Sequence, residues 1–168
     1  MSFGYRFGET PKLDAGLIRI DYVYNQEDIH PGTADFSQVL SLATKWQVGQ
    51  WGFWTDLGGG NGYAEQSDVW GLVAMPFYDF NPRYQCVLRY TFVSSAGDNG
   101  VSLPRYADRI VEGSGNEYSE IYFGFNAYFY GHKLKWQTGV EYESMKDSAG
   151  DVGEYSGWGL NTGLRISW

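Results

Sequence analysis

Five basic residues recur at positions that fall on one side of a two-residue alternation: Arg19, Lys45, Arg89, Lys135 and Arg165. Side chains two apart on a strand share a face, so a set of such strands gathers these cations on a common wall. A basic wall can hold an anion through charge-assisted hydrogen bonds and pass it from one cation to the next. Asp21, Asp56, Glu141 and Glu143 fall on the same face. By strand direction the cations belong to the lower half of the wall and Asp56, Glu141 and Glu143 to the upper half. The long connections add acidic residues above them, among them Glu27, Asp28, Asp98, Asp147 and Glu154. The chemistry implied is pore-lining selection of small anionic solutes. The plainer alternative is a solvated wall with internal salt bridges, such as Arg19 with Asp21.

Other chemistries find little to work with. Nucleophilic catalysis needs a histidine brought together with a serine or carboxylate. The two histidines, His30 beside Pro31 and His132 in a short turn, suit neither role, and no enzymatic activity is expected. His30 with Glu27 and Asp28 offers metal-ligand types, but three neighbouring loop residues rarely converge without further ligands. No metal or cofactor is expected. The single Cys86 excludes an intramolecular disulfide and reads as a buried or lipid-facing thiol. Gly58-Gly59-Gly60-Asn61-Gly62 lies between antiparallel segments with no helix after it, so it reads as a flexible hairpin loop and not as a phosphate cradle. The formal net charge of −8 argues against nucleic acid as a partner.

The elements that position the charged wall are eight segments of period two, at about 15–25, 37–47, 50–58, 67–78, 83–94, 117–130, 133–145 and 157–168. In the last, Trp158, Leu160, Thr162, Leu164, Ile166 and Trp168 oppose Gly159, Asn161, Gly163, Arg165 and Ser167. The seventh sets Leu134, Trp136, Thr138, Val140 and Tyr142 against Lys135, Gln137, Gly139, Glu141 and Glu143. The fourth is ambiguous, because either face of Val69–Phe77 could point outward. Connections alternate between short turns and long polar loops, the pattern of bacterial outer-membrane barrels. Aromatic residues reach 18 % and charged residues only 19 %, yet the mean hydropathy is −0.39. A transmembrane barrel reconciles these values, since only alternate residues meet lipid. A soluble sandwich or lipocalin-type barrel would carry many Lys and Glu on its polar face, whereas here that face is mostly Gly, Asn, Gln and Ser. The outward aromatics Tyr22, Trp51, Trp136, Trp158 and Trp168 fit the interfacial girdles of such a barrel.

Residues 14–168 are therefore expected to supply eight strands, and residues 1–13 a strand stub with a periplasmic turn. Phe3-Gly4-Tyr5-Arg6-Phe7 alternates like the end of a descending strand. A closed eight-stranded barrel has no use for it. Met1-Ser2-Phe3-Gly4 carries no secretory leader features. An outer-membrane reading then expects a leader already removed or a longer chain.

Several motifs resemble a known family. They are Asp21-Tyr-Val-Tyr-Asn-Gln-Glu-Asp-Ile-His-Pro31, Ser67-Asp-Val-Trp-Gly71, Arg89-Tyr90, Gly97-Asp-Asn-Gly100 and the run from Tyr130 to Tyr142. In order and spacing they resemble the C-terminal region of the phosphate-selective porin O and P family. The resemblance implies the C-terminal half of a barrel of about sixteen strands around a water-filled channel. It implies passive diffusion of small anions such as phosphate, a bacterial outer-membrane location, and a homotrimer in the full-length form. Outer-membrane lipid and the barrel-assembly machinery, reading the C-terminal strand, are the further partners expected. The alternative is a self-contained eight-stranded outer-membrane barrel with a structural, adhesive or enzymatic role.

Overall fold

A computed structural model describes residues 1–7, 15–25, 35–98, 100–103, 113–130, 133–150 and 153–167. The alternating segments form one antiparallel sheet. Its strands are β1 (Ser2–Phe7), β2 (Ala15–Tyr24), β3 (Phe36–Val48), β4 (Trp51–Gly62), β5 (Val69–Asn81), β6 (Tyr84–Ser95), β9 (Glu117–Tyr130), β10 (Leu134–Lys146) and β11 (Tyr155–Ile166). A separate short pair, β7 (Val101–Ser102) with β8 (Ser114–Gly115), lies in the long connection between β6 and β9. Every strand of the large sheet sits beside its neighbour in sequence. The short hairpin between β3 and β4 turns through Gly49, whose φ of +57° is the left-handed conformation a tight turn needs.

The stub at the N-terminus is a true sheet member. Phe3 pairs with Ile20 and Tyr5 with Ile18, so β1 covers one edge of β2 while β3 covers the other. With both edges of β2 taken, closure of β2 onto β11 is not formed. Among the described residues, the free edges of the sheet are β1 and β11.

Burial is inverted relative to a soluble domain. Among the described residues the buried apolar side chains are only Phe77, Val101, Leu103, Tyr118, Ala127 and Met145, while Glu120, Asn126 and Glu143 are buried polar residues. Exposed large apolar residues run along the long strands instead, with Trp158 at 78 % and Leu160 at 75 % exposed. On β10 the exposed side is Trp136, Val140 and Tyr142, and the covered side is Gly139 and Glu143. One face is thus polar and sheltered, here called inner, and the other is apolar and open.

Register settles the ambiguous fourth segment. Phe77 pairs with Gly52, Met75 with Trp54 and Val73 with Asp56, which turns Val73, Met75 and Phe77 inward and Trp70, Leu72 and Tyr78 outward. The glycine run corrects an expectation. Gly58–Gly60 are strand residues laddered to Ser41, Leu40 and Val39, not a flexible loop. Their smallness serves packing: a Cβ on Gly60 would stand 2.8 Å from the Phe36 ring, so the ring can lie across the ladder only because glycine is there.

The small core lies at one end of the inner face. Val101 and Leu103 pack on Tyr118 and Met145, flanked by Val93 and Tyr155. Val93, Tyr118, Met145 and Tyr155 form one inner row across β6, β9, β10 and β11. Residues 101–103 therefore cover the inner face at that end. The residues just before them are tied to their neighbours where Gln66 Nε2 donates to Gly100 O at 3.1 Å and Ser148 Oγ donates to Asp98 at 2.6 Å.

Candidate functional site

Four of the five cations expected on the wall line one cavity of about 860 Å³ on the inner face: Lys45, Arg89, Lys135 and Arg165. The ladder places them there. Lys135 stands directly opposite Arg165 across β10 and β11, and Lys45 opposite Trp54 across β3 and β4. Among the described residues no carboxylate forms an ion pair with Lys45, Lys135 or Arg165. Like charges set directly opposite destabilise a ladder, so the Lys135–Arg165 pair is a cost that an anion would relieve. The Lys45 ammonium lies 4.3 Å from the centre of the Trp54 ring, and that of Lys135 lies 6.0 Å from the Tyr128 ring. These contacts orient the cations without neutralising them.

Arg89 differs from the other three. Its Nε and Nη2 donate to Glu120 Oε1 at 2.9 and 2.7 Å, and its guanidinium carbon lies 4.9 Å from the Tyr122 ring centre. It is half tied to the wall above the cavity and half turned towards the cavity. Arg19 does not line the cavity; its Nε donates to Asp21 at 2.6 Å, and Asp21 also accepts from Ser2 Oγ. For that pair the plainer alternative, an internal salt bridge, describes the geometry.

The acidic residues gather higher on the wall. Carboxylate oxygens of Glu120, Glu141 and Glu143 lie within 4.8 Å of one another, a spacing that could hold a cation. Local partners already serve two of them. Arg89 reaches Glu120, Tyr118 Oη donates to Glu120 Oε2 at 3.2 Å, and Asn161 Nδ2 donates to Glu141 at 2.6 Å. Asp56 stands apart and accepts from Ser41 Oγ at 2.8 Å.

Two features of the cavity were not foreseen in the sequence. The first is an amide relay across the strands: Gln137 donates to Asn126, Asn126 to Gln85, and Gln85 to Asp79, at 2.9, 2.8 and 2.8 Å. Gln47 reaches the other Asp79 oxygen at 3.4 Å. The relay consumes the carboxylate of Asp79, the one acid lining the cavity among the described residues. The second is an apolar bed of Trp54, Met75, Phe77 and Val87 inside a mostly polar lining. Alternation from Asp56 puts Trp54 inward, but Met75 and Phe77 join it only through the register of β5, whose facing was ambiguous.

Tyr22, Trp51, Trp136 and Trp158 all lie on the open apolar face and are exposed. Trp158 packs against Tyr142 with ring centres 5.1 Å apart, and Trp51 against Tyr78 at 4.8 Å. Trp168, His30 and His132 lie outside the described residues, as do Glu27 and Asp28. Cys86 is a partly buried free thiol, in register with outward Tyr78. Compared with known proteins, the chain matches no family model, no curated protein and no solved structure.

Proposed function

We propose that this sheet is part of the wall of an outer-membrane β-barrel, and that its inner face lines a water-filled passage preferring small anions. The observation that carries the reading is the inverted burial: apolar side chains cover the open face, while carboxylates and amides are sheltered on the other. In water such an outer face would drive aggregation, whereas lipid supplies the missing apolar surroundings. The long strands hold 10–14 residues, and a tilted transmembrane strand needs about 9–11. The free edges β1 and β11 are where the wall would continue.

Preference for anions follows from the cavity. Among the described residues, three cations without a carboxylate partner face a solute path whose one carboxylate, Asp79, is occupied by glutamine amides. Charges lining a narrow passage act at short range and with little screening, so they outweigh acidic groups at a distant mouth. The resemblance of the motif order to that of the phosphate-selective porins adds phosphate to the solutes worth testing. The test is the reversal potential of the protein in a planar bilayer under a salt gradient. Anion preference is expected, shifting towards cations in the Lys135→Gln, Arg165→Gln double variant. Cation preference that these replacements leave unchanged would overturn the reading.

A further inference from the structure

A passage for hydrated inorganic anions needs cations and water, and gains nothing from an apolar bed in its lining. Yet Trp54, Met75 and Val87 project into the same cavity as Lys45 and Arg89. Trp54 pairs across the ladder with Lys45 on one side and Met75 on the other. Phe77 meets the Trp54 ring edge-on at 5.9 Å, and is held over Gly52, where a Cβ would stand 1.9 Å from its ring. The bed is therefore built and fixed. Trp54 remains 40 % exposed within it, and among the described residues nothing accepts its indole N–H.

We infer that this part of the cavity is a subsite for aromatic monocarboxylates, resting on the reading of the inner face as an anion passage. The carboxylate would meet the Lys45 ammonium and the indole N–H, both donors without a carboxylate partner among the described residues. The ring would lie on Trp54 and Met75, removing apolar surface from water on both sides. A phosphate could use the cations but not the bed. A small aliphatic acid could use the carboxylate contact and little else. The cavity far exceeds one such solute, so the subsite is a weak stopping point on a path, as passage requires.

The protein reconstituted in planar bilayers tests this, with sodium benzoate and sodium acetate compared as blockers of chloride current. Benzoate is expected to act about fivefold more tightly than acetate, the scale of one added aromatic contact. Trp54→Ala should bring the two acids to parity and Trp54→Phe should keep the preference. Lys45→Gln should weaken both acids together. Equal block in the unaltered protein, or a preference that Trp54→Ala leaves intact, overturns the subsite while the anion passage stands. Should no anion-preferring current appear, the passage falls, and ligand-observed NMR with benzoate in detergent decides the subsite alone. A Trp54-dependent signal there sustains it; no signal removes it.

Discussion

Lys135 and Arg165 face one another across the β10–β11 ladder on the inner wall, two cations with no carboxylate partner among the described residues. A ladder selected only for stability would put opposite charges, or none, at such a position. Replacing either with Gln should therefore raise resistance to unfolding in detergent, by about 0.2–1 kcal/mol, the range of a cross-strand pair. The same replacement should weaken anion preference in the bilayer. Added salt should reduce both effects, as the Debye length falls to about 3 Å at 1 M. Paired urea titrations and reversal potentials check this; a variant that loses stability shows the pair to be structural.

A second prediction separates the two faces using adjacent residues. Leu164 is 62 % exposed on the apolar face, whereas a Cβ on Gly163 meets nothing within 4 Å on the inner face. If the outer face meets hydrocarbon, Leu164→Arg should cost about 2–4 kcal/mol near mid-bilayer. Gly163→Arg should cost much less, because its side chain enters open polar space. Refolding into lipid vesicles measures both. Equal costs would contradict the assignment of faces.

The strand positions were legible because a period of two persists over nine or more residues, as from Trp158 to Ile166. The inner facing of Lys135, Gln137, Glu141 and Glu143 followed from the same alternation. Where both faces are apolar the signal vanishes, and the facing of Val73, Met75 and Phe77 had to come from register against Gly52, Trp54 and Asp56. Glycine composition misled at Gly58–Gly62, since a glycine run reads as a turn unless a ring such as Phe36 is known to lie over it. Arg89 and Glu120 are 31 residues apart. Their pairing depends on how β6 and β9 align across a long connection, which no local pattern encodes.

That pairing gives the third prediction. Glu120 is buried beside Glu141 and Glu143, with Arg89 as the cation that reaches it. Removing Arg89 leaves carboxylates crowded with no counter-charge, whereas removing the charge on Glu120 relieves the crowding. Arg89→Gln should cost about 2 kcal/mol, less than a fully buried pair because the Arg89 side chain is 37 % exposed. Adding Glu120→Gln to Arg89→Gln should recover part of that loss. A double-mutant cycle by chemical unfolding measures the coupling, and a coupling near zero would show the contact to be incidental.

The last prediction concerns the short segment 100–103 that follows β6. Val101 and Leu103 hold it over the inner face by packing on Tyr118 and Met145, and the Asp98–Ser148 and Gly100–Gln66 hydrogen bonds hold its flank. The apolar contacts dominate, because a buried Leu loses about 2–5 kcal/mol on truncation to Ala while an exposed hydrogen bond contributes about 1. The Val101→Ser, Leu103→Ser double variant should therefore release the segment, and Ser148→Ala alone should not. If the inner face lines a passage, the segment narrows its upper end and release should widen it. Single-channel conductance should rise in the double variant, with faster protease cleavage within residues 100–103 as the structural control. Anion preference should persist, since Lys45, Lys135 and Arg165 stand on the strands below and not on the segment. Cleavage that quickens while conductance stays constant would place this segment outside the solute path, though still part of the fold.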